Sequence, residues 1–375
     1  MSGVISAIII LLVLGILITA HELGHYLAAR LCGIRVREFA IGMGPVLFRR
    51  QKTDENGEPA GTKFSLRALP IGGFCDLGED DEDDDPAHFR NKNIWQKVFV
   101  LISGSVMNFL LGFIFFLILG GMTVGMHERI PVITSVELNG PNYGVLQAGD
   151  KVLSIDNNPI FSYTDFSLFT GRNPEKPKRF VVLRDGEKIV LDPIVTAEMT
   201  EYDETGSPIL DEDGNVKTRR RFGLTMWEWQ EIGWGDVPRL AGVQTVDFVR
   251  IVWVTLGDLI SGSAGAGDLM GPVGMGGVVN EIISEEDAEA GDVARMLLQL
   301  AGLVAVNLAV VNLLPIPALD GGRILFLFLS AFLVLVRKKP LNAKVEGYIH
   351  GVTMILLFAL MIFIFYNDIT RLIGL

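Results

Sequence analysis

Four stretches of the chain are apolar and free of charge: Val4 to Ala20, Val98 to Met126, Leu297 to Leu319 and Val352 to Tyr366. A helix needs about 20 residues to cross the hydrocarbon core of a bilayer, with about 17 as the lower limit. Three of the runs reach that length, and the fourth does when counted from Ile349 to Asn367. The pattern predicts a polytopic α-helical membrane protein with four transmembrane helices, at 1–30, 97–126, 296–336 and 348–372. The first run is read as a span rather than a signal peptide. No Lys or Arg precedes Arg30, and no small-residue cleavage site follows the run.

Between the spans the period changes. Residues 31–96 contain "REFAIGMGPVLFRR" and "GTKFSLRALPIGGFCDLGE", where apolar and polar positions nearly alternate and Gly and Pro break the runs. They predict a membrane-associated β region whose hairpin turns at Asn56-Gly57, followed by the acidic loop Glu79 to Asp85. Residues 130–197 alternate again in "PVITSVEL", "KVLSIDNNPI" and "RFVVLRDGEKIVLDPIV", with a short helical piece near Thr164 to Thr170. That is the pattern of a small β-rich domain. Residues 198–290 hold a polar loop or hairpin, Thr200 to Arg221, and then Leu240 to Ile260. The latter is apolar except for Asp247, Arg250 and Asp258, and is expected to lie as an amphipathic helix on the membrane surface.

Composition and charge sharpen this outline. Apolar residues make up 49% of the 375, and the net charge is -12, which argues against nucleic acid as a partner and leaves the lipid bilayer as the surroundings. The acidic run "EDDEDDD" lacks the Gly and the ligand spacing of a calcium loop and reads as a solvated segment. Basic residues cluster after the first span (Arg30, Arg35, Arg37, Arg49, Arg50, Lys52), before the second (Arg90, Lys92, Lys97) and between the last two (Arg337, Lys338, Lys339, Lys344). Basic loops stay cytoplasmic, so both termini and the β-rich domain are expected outside the cytoplasmic membrane. Cys32 and Cys75 then fall on the reducing side, where free thiols are the default.

The chemistry is concentrated in "LGILITAHELGHYLAARL", Leu14 to Leu31, where an apolar helix holds two histidines and a glutamate. His21 and His25 are one helical turn apart on one face. Imidazoles at that spacing bind Zn2+, with the intervening glutamate, Glu22, as general base. HExxH arises by chance in a chain of this length about one time in a hundred. Snorkelling at a helix end accounts for one polar residue, not three at this spacing. A catalytic zinc takes a third protein ligand. His88, His127 and His350 sit in no motif, whereas Asp320 follows a span broken by Pro315 and Pro317 in "VNLLPIPALDGGRIL". The alternative for Asp320 is a helix cap at the membrane edge.

HELGH in the first span and "NLLPIPALDGG" (Asn312 to Gly322) in the third resemble the paired signatures of the site-2 protease family of intramembrane metalloproteases. The order of span, cytoplasmic hairpin, span, outer domain and two spans is similar to its bacterial branch. The resemblance implies one zinc per chain on His21, His25 and Asp320, with Glu22 as catalytic base. It implies Asn312, Pro315, Pro317, Gly42 and Gly44 as substrate-binding elements. "NGPNYGVLQAGDKVLSIDNNPI" resembles a PDZ domain of the bacterial protease type. "GPVG" (Gly271 to Gly274) and "YNDITRL" also look like family segments. One departure stands out: the second span reads "SGSVMN", with Ser105 where the family often has Pro, while Asn108 is kept. The implied activity is hydrolysis within or near the transmembrane segments of single-span proteins, such as anti-sigma-factor-like regulators and remnant signal peptides. Two rival classes are a catalytically silent scaffold, which intact Glu22 and Asp320 argue against, and an ion transporter, which would usually show internal repeats.

Overall fold

The structure, a computed structural model, describes residues 2–53, 59–78, 85–201, 207–210, 215–226, 228–263, 265, 269–284, 289–338 and 341–372. It divides into two compact units, Met1–Leu119 with Phe248–Leu375, and Gly120–Asp247. The hairpin tip expected at Asn56-Gly57 lies outside the described residues, as does the acidic run apart from Asp85, which pairs with Arg35.

In the first unit, α1 (Ser2–Leu31) leads into β1 (Glu38–Thr53) and β2 (Pro59–Asp76), and α2 (Ile94–Met122) follows. The two strands are long and irregular. Glu38 stands opposite both Asp76 and Lys63, so residues 38–41 lie between residues 73–76 and 63–66. This junction is pinned electrostatically. Burial alone would raise the Glu38 carboxyl, but hydrogen bonds from Lys63, Ser65 and Arg67 hold it at about 2. Arg67 also donates to the Gly44 carbonyl at 3.1 Å, closing the turn that Gly42 and Gly44 make at φ near +82°. Cys32 and Cys75 are both free thiols.

The second unit holds short strands around a four-stranded sheet. β3 (His127–Arg129), β4 (Ser135–Val136), β5 (Lys151–Ile155) and β6 (Asn158–Pro159) precede α3 (Tyr163–Gly171). After it come β7 (Lys178–Arg184), β8 (Glu187–Ile194), β9 (Ala197–Thr200), β10 (Thr218–Arg221), β11 (Leu224–Thr225) and β12 (Trp229–Glu231). The sheet order is β6-β5-β7-β8, and β9 and β10 form a separate hairpin. Val152, Ile155, Phe180, Val182 and Ile194 form a core that no solvent reaches, with an irregularity between Val152 and Ser154 bringing Ile155 to the same face as Val152. Fully buried Asp150 takes two hydrogen bonds from Arg184, at 2.6 and 2.7 Å, which raises the guanidinium pKa. A buried carboxylate is tolerated only when paired in this way.

The chain continues with α4 (Val237–Ser261), α5 (Pro272–Ser284), α6 (Ala290–Asn312), α7 (Asp320–Arg337) and α8 (Ala343–Leu372). Among the described residues five helices are long and apolar enough to cross a membrane, against the four expected, and the addition is Val237–Ser261. Its mean hydropathy, 1.3, is the lowest of the five, and Asp247, Arg250 and Asp258 all lie within it. Residues 296–336 resolve into α6 and α7 with a turn between them. Pro315 and Pro317 lack the N–H that a continuous helix would need. The turn is stitched instead by the Ile316 N–H to the Leu314 carbonyl (2.7 Å) and the Leu319 N–H to the Ile316 carbonyl (3.1 Å). It is so tight that a Cβ on Gly321 would meet the Leu313 and Leu314 carbonyl oxygens at 2.3 Å.

Candidate metal centre

α1 remains helical through HELGH, which places His21 and His25 side by side, 9% and 7% exposed. They can be buried there because α2 comes close. A Cβ on Gly24 would stand 2.3 Å from the Ser103 carbonyl oxygen, so the two backbones touch at that point. Gly104 faces the imidazoles themselves: a Cβ there would lie 2.5 Å from His25 Nε2 and 2.7 Å from His21 Nε2. The His25 Nδ1–H donates to the Val100 carbonyl at 2.8 Å, which leaves the Nε2 lone pair free.

Asp320 is the first residue of α7, delivered by the Pro-x-Pro turn. Its Oδ2 lies 3.0 Å from His21 Nε2 and 3.2 Å from His25 Nε2, and the two nitrogens are 3.1 Å apart. Tetrahedral zinc with bonds of about 2.0–2.1 Å separates its ligand atoms by about 3.3 Å. The observed triangle is close to that size. Two neutral nitrogens and a carboxylate oxygen also make the donor set that zinc takes in catalytic sites, so the residues present fit the ion. Among the described residues this is the one such group of three that closes. The turn carrying Asp320 is tied to α8, where His350 Nδ1 accepts the Ala318 N–H at 2.8 Å.

Glu22 is held on the side facing the sheet, where its carboxylate accepts the backbone N–H of Cys75. The neighbouring Gly73 leaves room for it, since a Cβ there would come 3.6 Å from Glu22 Cγ and 2.9 Å from the Ala40 carbonyl oxygen. Asn312, the last residue of α6, brings its amide nitrogen to 3.5 Å from His21 Nδ1. Gly42 and Gly44 have their close contacts on Leu69 and Arg67 rather than on α1. Pro315 and Pro317 lie within the turn before Asp320. Sequence reasoning missed Gly104, the Val100 carbonyl, the Cys75 N–H and His350. A signal existed for the first two: Val100, Gly104 and Asn108 recur at four-residue spacing, one face of α2.

Comparison with known proteins gives these contacts a context. The sequence pattern of Peptidase family M50 matches residues 9–360. The chain is 31% identical over 370 residues to a Clostridium acetobutylicum protein whose name carries the words zinc metalloprotease, with 97% of each chain aligned. It is 28% identical over 450 positions to the Regulator of sigma-W protease RasP of Bacillus subtilis, covering 98% of this chain and 99% of that one. Zinc metalloprotease RasP of Bacillus licheniformis is 27% identical, with 98% and 99% covered.

Proposed function

We propose, for a chain that belongs to Peptidase family M50, the site-2 protease family, that His21, His25 and Asp320 hold one zinc ion and that Glu22 is the catalytic base. The chain is an intramembrane zinc metalloprotease by family. The finer reading is that it cuts single-span membrane proteins within or near their transmembrane segments. The observation that carries it is the convergence of three donor atoms from positions as far as 299 residues apart.

Zinc bound there supplies a Lewis acid that polarises the scissile carbonyl and makes water acidic enough to react at neutral pH. The chain's own groups do the rest. Glu22 takes a proton from the attacking water and returns it to the departing amine. Its hydrogen bond to the Cys75 N–H supports a fixed direction for that transfer. The Asn312 amide, at the mouth of the broken helix, donates to the substrate carbonyl oxygen. Pro315 and Pro317 keep the chain there from reforming a helix and so leave room for substrate. A substrate helix must unwind to be cut, and each backbone group freed in lipid costs several kcal/mol unless it finds a partner. The sheet of β1 and β2, with the Gly42–Gly44 turn, supplies such partners by strand addition.

Substrates of this reading are regulators of the anti-sigma-factor kind and remnant signal peptides. The name of the Bacillus subtilis relative, Regulator of sigma-W protease RasP, is consistent with the first. The four-stranded sheet with α3 supports a PDZ-type module, and the basic residues flanking the spans support its extracytoplasmic placement with both termini. Two variants test the assignment. His21→Ala should lose its zinc by metal analysis of the purified protein. Glu22→Gln should keep zinc, lower cleavage of a reporter helix by about 10²–10⁴-fold, and accumulate uncut single-span proteins. Full zinc in the first, or full cleavage in the second, refutes it.

A further inference from the structure

Resting on that ligand set, we infer that Asn108 is the positioning residue of His21: its side-chain oxygen accepts the Nδ1–H and so presents Nε2 to the metal. A neutral imidazole has one N–H, and a ring that gives its Nε2 lone pair to a metal must carry the proton on Nδ1. That proton needs an acceptor, since the ring is buried. For His25 the acceptor is the Val100 carbonyl at 2.8 Å. For His21 two amides approach Nδ1, those of Asn108 at 3.4 Å and Asn312 at 3.5 Å.

Both amides turn their nitrogen to the ring, which suits the Nε2–H tautomer, whose Nε2 has no lone pair to offer the metal. Asn108 shows the mismatch from its own side as well. It is 1% exposed, and its Oδ1 is buried without a hydrogen-bond partner. An orphaned buried acceptor costs about 1–3 kcal/mol. A half-turn of the amide exchanges oxygen and nitrogen within the same volume. It gives the stranded oxygen a donor and the His21 Nδ1–H an acceptor in one movement. Asn312 is less buried and has no stranded oxygen, so it stays available to substrate. α2 thereby serves both imidazoles from one stripe: the Val100 carbonyl for His25, the Asn108 amide for His21, and Gly104 between them keeping the space open.

Outer partners of metal-bound histidines are worth about 10–100-fold in metal affinity. The test is zinc affinity of the purified full-length chain, read by competition with a chelator of known strength. Asn108→Leu should weaken zinc by about 10–100-fold, while Asn108→Asp, which keeps an acceptor, should restore wild-type affinity or better. Asn312→Leu should leave the affinity within about twofold. Should Asn108→Leu fail to give a folded protein by circular dichroism, Asn108→Ala, which adds no bulk, carries the same comparison with Asn108→Asp. A merely structural Asn108 would not be rescued by a charged residue. Wild-type affinity in the folded apolar variant of Asn108, failure of Asn108→Asp to rescue, or a loss that follows Asn312 instead, overturns the inference. Zinc that survives His21→Ala would instead remove the ligand set itself.

Discussion

α1 and α8 look alike as strings of letters and behave differently as helices. Both are 30 residues long, and their membrane-length segments have mean hydropathies of 2.7 and 2.3. α1 gathers its ionisable groups inside the apolar stretch into one cluster, the two imidazoles and Glu22. α8 has no buried residue in its apolar window, and Ile355, Leu356 and Phe358 are at least 60% exposed. Its polar residues work at the two ends. His350 receives the Ala318 N–H, and Asp368, 1% exposed, accepts the N–H groups of Gly271 (3.2 Å) and Gly274 (2.8 Å) at the start of α5. Those are helix-opening donors that no intrahelical carbonyl reaches. Apolar length brings a helix into the bilayer, whereas polar side chains and glycines decide what it touches once there.

The comparison breaks first at Gly104. A methyl group there stands on the imidazole nitrogens, and overpacking costs about 1–3 kcal/mol. Gly104→Ala should therefore weaken zinc by about 5–150-fold with every ligand intact, as chelator competition would record. Retained affinity would mean that α2 does not close on the histidines. Asp368→Leu is the middle case. It strands the two N–H groups of α5 and should destabilise the protein by about 1–2 kcal/mol in detergent unfolding, with zinc content unchanged. The smallest effect belongs to the apolar face of α8, where Phe358→Leu and Ile355→Val should each stay within about 0.5 kcal/mol. A larger loss would show that this face is packed against something.

What was legible in the sequence divides along the same line. HELGH could be read because its meaning lies within five residues of one helix, and the Pro-x-Pro segment because proline breaks a helix wherever it falls. The β character of residues 38–76 was visible as alternation, but its register was not: Glu38 facing both Lys63 and Asp76 depends on a strand curling on itself. The Cys75 N–H and His350 were hidden for another reason. Each acts on a residue of a distant segment, and nothing in its own neighbourhood marks it as different from a packing position. α4 was read as a surface helix from its charges, yet its 25 residues also satisfy the length and hydropathy of a span.

The separation between His21 and Asp320 also has a meaning in time. A ribosome delivers the chain from its beginning at about 5–20 residues per second, so the 299 residues between them take about 15–60 s to make. Throughout that interval the proposed ion has only a two-histidine half-site. On the proposed ligand set, the nascent chain enters the membrane with an incomplete metal site, which closes only after Asp320 has been synthesised.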